Sequence, residues 1–197
     1  MKKIGFYGGT FDPIHFGHLS LAIQLAEIHQ LDSVLVCPSF CSPFKIEATP
    51  KANGIQRLEM VRLALQGIER FEALSIEIER KEMSYTIDTI RVLPPAKYHL
   101  LLSQESALHL QSWKDFKELI RLAPPLIGCR NGEFCTQDER EISLFQSDFF
   151  REGMTWTKNM DISSTDIRHR IKKKLYCGHL VPAKTLDYID RNQVYFC

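Results

Sequence analysis

Apolar residues along this chain fall into two kinds of run. Some runs are short and continuous: KKIGFY (2–7), SVLVCP (33–38), YHLLLS (98–103) and PLIGCR (125–130). Runs of this length, flanked by glycine, proline or serine, predict strands buried on both faces. Other runs repeat every three to four residues and predict amphipathic helices. FGHLSLAIQLAEIHQ (16–30) sets Leu19, Ala22, Ile23, Leu25 and Ala26 at that spacing, and IQRLEMVRLALQGI (55–68) and KDFKELIRLA (114–123) follow the same rule. SSTDIRHRIKKKL (163–175) predicts a helix with a Ser/Thr start and a basic end, which suits the helix dipole. VPAKTLDYIDRN (181–192) predicts a closing helix with Pro182 near its first turn. Three weaker segments complete the pattern: ALSIEIER (73–80) alternates like a strand, SYTIDTIRVL (84–93) reads as a short helix capped by Ser84, and MTWTK (154–158) reads as a last short strand. Residues 137–150 read as helix, and the Pro- and Ser-rich stretch 39–54 as a loop.

Strands and helices therefore alternate, and several strands are apolar throughout. That is the pattern of an α/β fold with a mainly parallel sheet and helices on both faces. Ligands of such folds bind beyond the carboxyl ends of the strands. GFYGGTFDPIHFGH (5–18), Pro38 to Lys45, Ser103 to Ser106 and Arg130 all fall at such ends. The 197 residues, with no internal repeat or low-complexity linker, suit a single domain over 1–197 whose helical C-terminal part begins near 160.

Composition narrows the partners. Twenty-five basic residues face 24 acidic ones, for a net charge of +1, so nothing global attracts nucleic acid or a membrane surface. The start, MKKIGFYGG, is too short in its apolar run for a signal peptide, and no run approaches a membrane span. The expectation is a cytoplasmic protein. Six cysteines at 37, 41, 129, 135, 177 and 197 form no CxxC pair, and free thiols are expected, with Cys37 as a small buried hydrophobe.

The chemistry concentrates at Gly8-Gly9-Thr10 and at His15 and His18. Glycines let backbone approach a ligand, and a helix beginning near Phe16 places His18 in a first turn with free N–H groups. A phosphate suits that place. Neither GxxxxGK[ST] nor GxGxxG is present, and the glycines alone leave a plain tight turn with two packed histidines equally open. Two histidines three apart with no third ligand nearby make a poor zinc site.

The combination is more restrictive than its parts. His15-Phe16-Gly17-His18 resembles the HxGH signature of the nucleotidylyltransferase superfamily, and GGTFDPIHFGH resembles the start of the bacterial nicotinate-nucleotide adenylyltransferases. Ile162-Ser163-Ser164-Thr165-Asp166-Ile167-Arg168 is similar to that family's ISSTxIR motif, Ser84 to Thr89 to its SYTxxT segment, and Ser112-Trp113 to a tryptophan after its fourth main strand. The likeness covers nearly the whole chain in order. It implies a Rossmann-like fold and transfer of an adenylyl group from ATP to nicotinate mononucleotide, assisted by Mg²⁺ held mainly by phosphates rather than by protein.

By the same resemblance, His15 and His18 stabilise phosphate oxygens, Lys45 reaches the phosphates and Arg168 neutralises the leaving pyrophosphate. Gly8, Gly9, Thr10, Phe11, Glu105, Ile162, Ser163, Ser164 and Thr165 fall to ATP. The three hydroxyl residues are expected to cap the helix that carries Arg168. Trp113 stacks on the pyridine ring, backbone around Tyr85 and Thr86 holds its carboxylate, and Arg130 adds charge; a core tryptophan is the plainer, less favoured alternative for Trp113.

Two positions depart from the family pattern. Phe44 stands where relatives often have histidine, and Ser103-Gln104-Glu105 replaces a GxD segment. Glu105 is a longer substitute for that aspartate, which contacts a ribose, while Ser103 lacks the glycine's close approach. Rival readings are adenylyl transfer to nicotinamide mononucleotide or to phosphopantetheine, and a nucleotide-binding protein without turnover. The oligomeric state stays open.

Overall fold

The computed structural model describes residues 1–45, 49–129, 148–158 and 160–196. Its six strands form one parallel sheet. They are β1 (Lys3–Gly9), β2 (Ser33–Pro38), β3 (Phe71–Ala73), β4 (Lys97–Ser103), β5 (Pro125–Cys129) and β6 (Met154–Trp156), in the order β3-β2-β1-β4-β5-β6. This is the strand order of a doubly wound, Rossmann-like sheet. Lys3 to Phe6 register with Lys97 to Leu100, Leu100 to Ser103 with Pro125 to Gly128, and Ile127 to Cys129 with Met154 to Trp156. The continuously apolar runs are the central strands, as a sheet covered on both faces requires: Leu100, Leu101, Leu102 and all of β5 are buried.

The helices are α1 (Phe16–Ile28), α2 (Gly54–Leu65), α3 (Ile76–Arg80), α4 (Thr86–Val92), α5 (Gln104–Leu108), α6 (Phe116–Leu122), α7 (Asp148–Arg151), α8 (Ser164–Lys172) and α9 (Ala183–Arg191). α2 starts at a reciprocal capping box: Asn53 Oδ1 accepts from Gln56 N at 2.9 Å, and Gln56 Oε1 accepts from Asn53 N at 3.0 Å. α1 packs against β5 at Gly128, where an added Cβ would meet the end of the Leu21 side chain.

Two predicted segments differ. The stretch 73–80 is not one strand: it starts at Ala73, the last residue of β3, and continues through Leu74 and Ser75 into the helix α3. Its alternation is deceptive because the two residues that become buried, Glu77 and Ile78, are adjacent. Ser75 Oγ donates to Glu79 Oε1 at 2.6 Å, an i,i+4 contact that a helix makes and a strand cannot. Ser84 does not cap α4; Tyr85 is the N-cap residue, and Ser84 Oγ instead accepts from Phe40 N at 2.9 Å. The helix predicted over 137–150 appears as α7 from Asp148, and 137–147 lie outside the described residues.

Contacts divide the chain into two compact units that interleave in sequence. One holds Met1–Tyr7, Leu21–Val34 and Tyr85–Asn159; the other holds Gly8–Ser20, Leu35–Ser84 and Met160–Cys197. Cys37 is fully buried, as expected of a small hydrophobe, and Cys37, Cys41, Cys129 and Cys177 are free thiols. Among the described residues no helix is long and apolar enough to cross a membrane.

Candidate active site

The second unit gathers the glycine loop, both histidines, Ile162, Ser163, Ser164, Thr165 and Arg168. β1 ends at Gly9, and the chain turns through Thr10 and Phe11 into α1. Phe11 is buried with φ 48, a left-handed conformation that a bulky residue adopts only under constraint. Its ring lies over Gly9, where a Cβ would come within 2.8 Å of it, and meets the His18 ring edge-on at 5.1 Å.

The two imidazoles fix one another. Their rings stack at 3.7 Å, with planes 24° apart. His15 N donates to His18 Nδ1 at 3.3 Å, and His18 N donates to His15 Nδ1 at 3.4 Å. Both Nδ1 atoms are thus acceptors, so the proton of each neutral ring resides on Nε2. Burial pulls His15, only 5% exposed, down to a pKa of about 4. It is therefore a neutral N–H donor at physiological pH. Gly17 makes this packing feasible: a Cβ there would lie 3.1 Å from the His15 ring and 3.2 Å from Met160 O.

α8 begins with a single cap. Ser163 Oγ accepts from Thr165 N at 3.2 Å. The other two expected caps do different work: Ser164 Oγ donates to Pro13 O at 2.9 Å, and Thr165 Oγ1 accepts from Arg168 Nη2 at 3.1 Å. Arg168 Nη1 also donates to Asp12 O at 2.7 Å and stands 3.8 Å from Asp12 Oδ2. Ile162 is half-buried in the approach to this helix.

Asp12 and Arg57 organise the loop, and sequence reasoning missed both. Asp12 is 5% exposed and accepts from Lys51 N at 2.8 Å, Ala52 N at 3.0 Å and Tyr195 Oη at 2.7 Å. Arg57 is 1% exposed and, among the described residues, donates only to carbonyls: Thr10 O at 2.8 Å, Ser39 O at 2.6 Å, Phe40 O at 3.2 Å and Ala52 O at 3.2 Å. Burial pulls its pKa below the ordinary arginine value, and the Asp12 charge opposes that pull. Nothing in the residue identities signals this clamp, because its acceptors are backbone oxygens.

Tyr85, Thr86, Glu105 and Trp113 lie in the first unit. Tyr85 precedes α4, whose start carries no side-chain cap. Lys114 Nζ sits 4.7 Å from the centre of the Tyr85 ring and donates to Asp88 at 2.8 and 3.1 Å. Trp113 is half-buried, and its backbone N–H donates to Leu110 O at 3.1 Å. Glu105 is exposed on the first turn of α5, and Ser103 caps that helix by accepting from Ser106 N at 3.2 Å. The segment replacing GxD is thus a helix start. Lys45 closes a 3₁₀ turn, Pro43–Lys45, beside the exposed Phe44. The Lys45 side chain and Arg130 lie outside the described residues.

Comparison with known proteins adds a lineage to this geometry. A cytidylyltransferase-like family model matches residues 6–170. A probable nicotinate-nucleotide adenylyltransferase of Dictyoglomus turgidum is 37% identical across 98% of this chain and 95% of its own length. Its counterpart in Methylacidiphilum infernorum is 32% identical across 98% and 92%. Among solved structures, Plasmodium falciparum nicotinic acid mononucleotide adenylyltransferase complexed with NaAD is similar with a TM-score of 0.72 at 19% identity, covering 100% of this chain and 98% of that one. At that identity the likeness is one of fold.

Proposed function

Because the chain belongs to the cytidylyltransferase-like family and, within it, to the nicotinate-nucleotide adenylyltransferases, we propose that it transfers the adenylyl group of ATP to nicotinate mononucleotide. The products are nicotinate adenine dinucleotide and pyrophosphate. The observation that carries this reading is the constellation within one unit: a glycine loop, two histidines locked as Nε2–H donors, and Arg168 anchored at the capped start of α8.

An oxygen of the nucleotide's 5′-phosphate attacks the α-phosphorus of ATP. The bond from that phosphorus to the bridging oxygen breaks, and pyrophosphate leaves with the electron pair. The attacking phosphate is already an anion, so the reaction needs alignment and charge stabilisation rather than a base. Neutral His15 and its stacked partner His18 supply hydrogen bonds to phosphate oxygens. Arg168, with Lys45 from the loop after β2, meets the charge gathering on pyrophosphate. Backbone of Gly8, Gly9, Thr10 and Phe11 and the start of α8 from Ile162 to Thr165 receive ATP. Mg²⁺ enters as part of the substrate, carried on the triphosphate. Asp12 is not offered as its ligand, since both carboxylate oxygens already accept protein donors.

Trp113, Tyr85 and Thr86 are assigned to the pyridine ring and its carboxylate, with Arg130 adding charge there, and Glu105 is assigned to ATP. We place the reaction in the cytoplasm, a reducing compartment in keeping with the free thiols of Cys37, Cys41, Cys129 and Cys177.

A pyrophosphate-release assay with ATP and Mg²⁺ tests the reading. Release is expected with nicotinate mononucleotide in preference to nicotinamide mononucleotide and phosphopantetheine. No release with any of the three would refute the enzyme reading, and a preference for another acceptor would reassign the substrate. His18→Ala is expected to lower kcat by about 10²–10³-fold, the usual cost of one lost charge-stabilising donor. Near-normal turnover would remove His18 from the site.

A further inference from the structure

We propose that Tyr195 is a positioning residue for Arg168, acting through Asp12; this rests on the adenylyl-transfer reading above. Tyr195 lies 183 residues from Asp12 in sequence, yet its hydroxyl donates to Asp12 Oδ1 at 2.7 Å. The chain beyond α9 is held for this contact. Val194 is buried, and its N–H donates to Ile189 O at 3.0 Å. Gln193 and Tyr195 both take left-handed conformations, with φ 51 and φ 74. Non-glycine residues hold such conformations when the surroundings impose them, and they concentrate at functional sites. The other neighbour of the hydroxyl is Met60 Sδ at 3.9 Å, a weak acceptor, so the carboxylate is its main partner.

The geometry around Asp12 explains what this contact does. Its Oδ1 takes Ala52 N and Tyr195 Oη, and its Oδ2 takes Lys51 N. Oδ2 then stands 3.8 Å from Arg168 Nη1, close enough to attract it but too far for a hydrogen bond, while the Asp12 carbonyl receives that same nitrogen at 2.7 Å. Three donors thus hold the carboxylate back from the guanidinium. With the tyrosine donor gone, the carboxylate gains an unshared lone pair and the freedom to turn toward Arg168. A direct ion pair would form and would take the guanidinium away from a phosphate ligand. Burial raises the Tyr195 pKa above the ordinary tyrosine range, so the phenol remains a donor throughout the working pH range.

Tyr195→Phe retains the ring and removes only the hydroxyl. If Arg168 stabilises the departing pyrophosphate, the loss belongs to kcat and not to ground-state binding. The expected result is a kcat lower by about tenfold, as for loss of one hydrogen bond to a charged group, with the KM for nicotinate mononucleotide unchanged. In an Arg168→Ala background the same substitution should change kcat less than about twofold, because the residue it acts on is gone. An equal factor in both backgrounds, or no kcat change in either, would overturn the proposal. So would a Tyr195→Phe chain with no folded population by circular dichroism at any assay temperature, since that assigns the hydroxyl to the fold. Absence of pyrophosphate release by the wild-type protein would instead fail the underlying reading, and the two failures are told apart by that control.

Discussion

Each unit of the molecule carries a polar cluster, and the two are built on opposite principles. Around Asp12 and Arg57 the charges are buried, and their partners are largely backbone: four carbonyls for Arg57, two amides and one phenol for Asp12. Around Arg91 the charges are exposed and their partners are side chains: Asp88 at 3.3 Å, Asp115 at 2.9 Å and Glu118 at 2.6 Å, with Lys114 also on Asp88. A buried charge that grips backbone dictates the path of the chain, because each carbonyl it leaves would be orphaned away from water. An exposed charge that grips another side chain can exchange its partner for solvent. The first cluster therefore shapes a loop, and the second only biases the placement of one.

The largest effect should come from Arg57. Arg57→Met keeps much of the volume but strips donors from Thr10, Ser39, Phe40 and Ala52 at once. Removing one member of a buried charged network costs about 3–5 kcal/mol. Urea unfolding should record a loss of that size, with kcat falling as the Thr10 turn loosens. A loss below about 1 kcal/mol would erase the contrast between the two clusters.

The buried histidine should show in acid. His15 titrates near 6.5 when unfolded and at about 4 in the native protein, so between those values the unfolded chain binds more protons. Stability from this group is complete above about pH 6.5 and is lost as pH falls toward 4. The difference is worth roughly 3 kcal/mol. His15→Gln should flatten the stability profile over this window, measured by unfolding at pH 4.5 and 7.5. An unchanged slope would show that His15 is accessible to protons in the native state.

Much of this architecture is readable in the residues, and the exceptions share a cause. Continuous apolar runs announce buried strands, because side-chain identity and spacing carry that signal, and GGTFDPIHFGH and ISSTDIR carry the family resemblance on which the proposed phosphate chemistry rests. Arg57 leaves no comparable trace: in IQRLEMVRLALQGI it is one more polar position on an amphipathic helix, and its acceptors are carbonyls that every residue possesses. Asp12 leaves no trace either, because two of its donors are backbone amides far along the chain. The stretch 73–80 misleads because alternating Ile and Glu satisfies a strand on paper, while the Ser75–Glu79 contact and the left-handed Lys81, φ 56, close a short helix. Ser84 misleads because the Phe40 amide claims its hydroxyl first. Long-range backbone partners decide the cases of Arg57, Asp12 and Ser84, and local sequence does not encode them.

The smallest effect should come from the exposed cluster, and its test is salt. Arg91, Asp115, Glu118 and Lys114 each expose roughly two-fifths of the side chain, and the Debye length at physiological ionic strength is about 8 Å. Screening should cancel most of what this network contributes. Arg91→Gln should therefore unfold at the same urea concentration as the wild type in 1 M salt and slightly earlier at low salt. Asp115 makes the outcome informative: it occupies the N-cap position of α6 at φ 51, but its carboxylate makes no cap and reaches Arg91 instead. A cap would be the more stabilising use of an aspartate there. The contact's effect should accordingly fall on the placement of the Trp113–Asp115 segment. Arg91→Gln should raise the KM for the pyridine nucleotide by about twofold at low salt, leave the KM for ATP alone, and lose even this distinction as salt rises. A stability loss that survives 1 M salt would mean that the exposed network resists screening as a buried one does, and the division between the two clusters would fail.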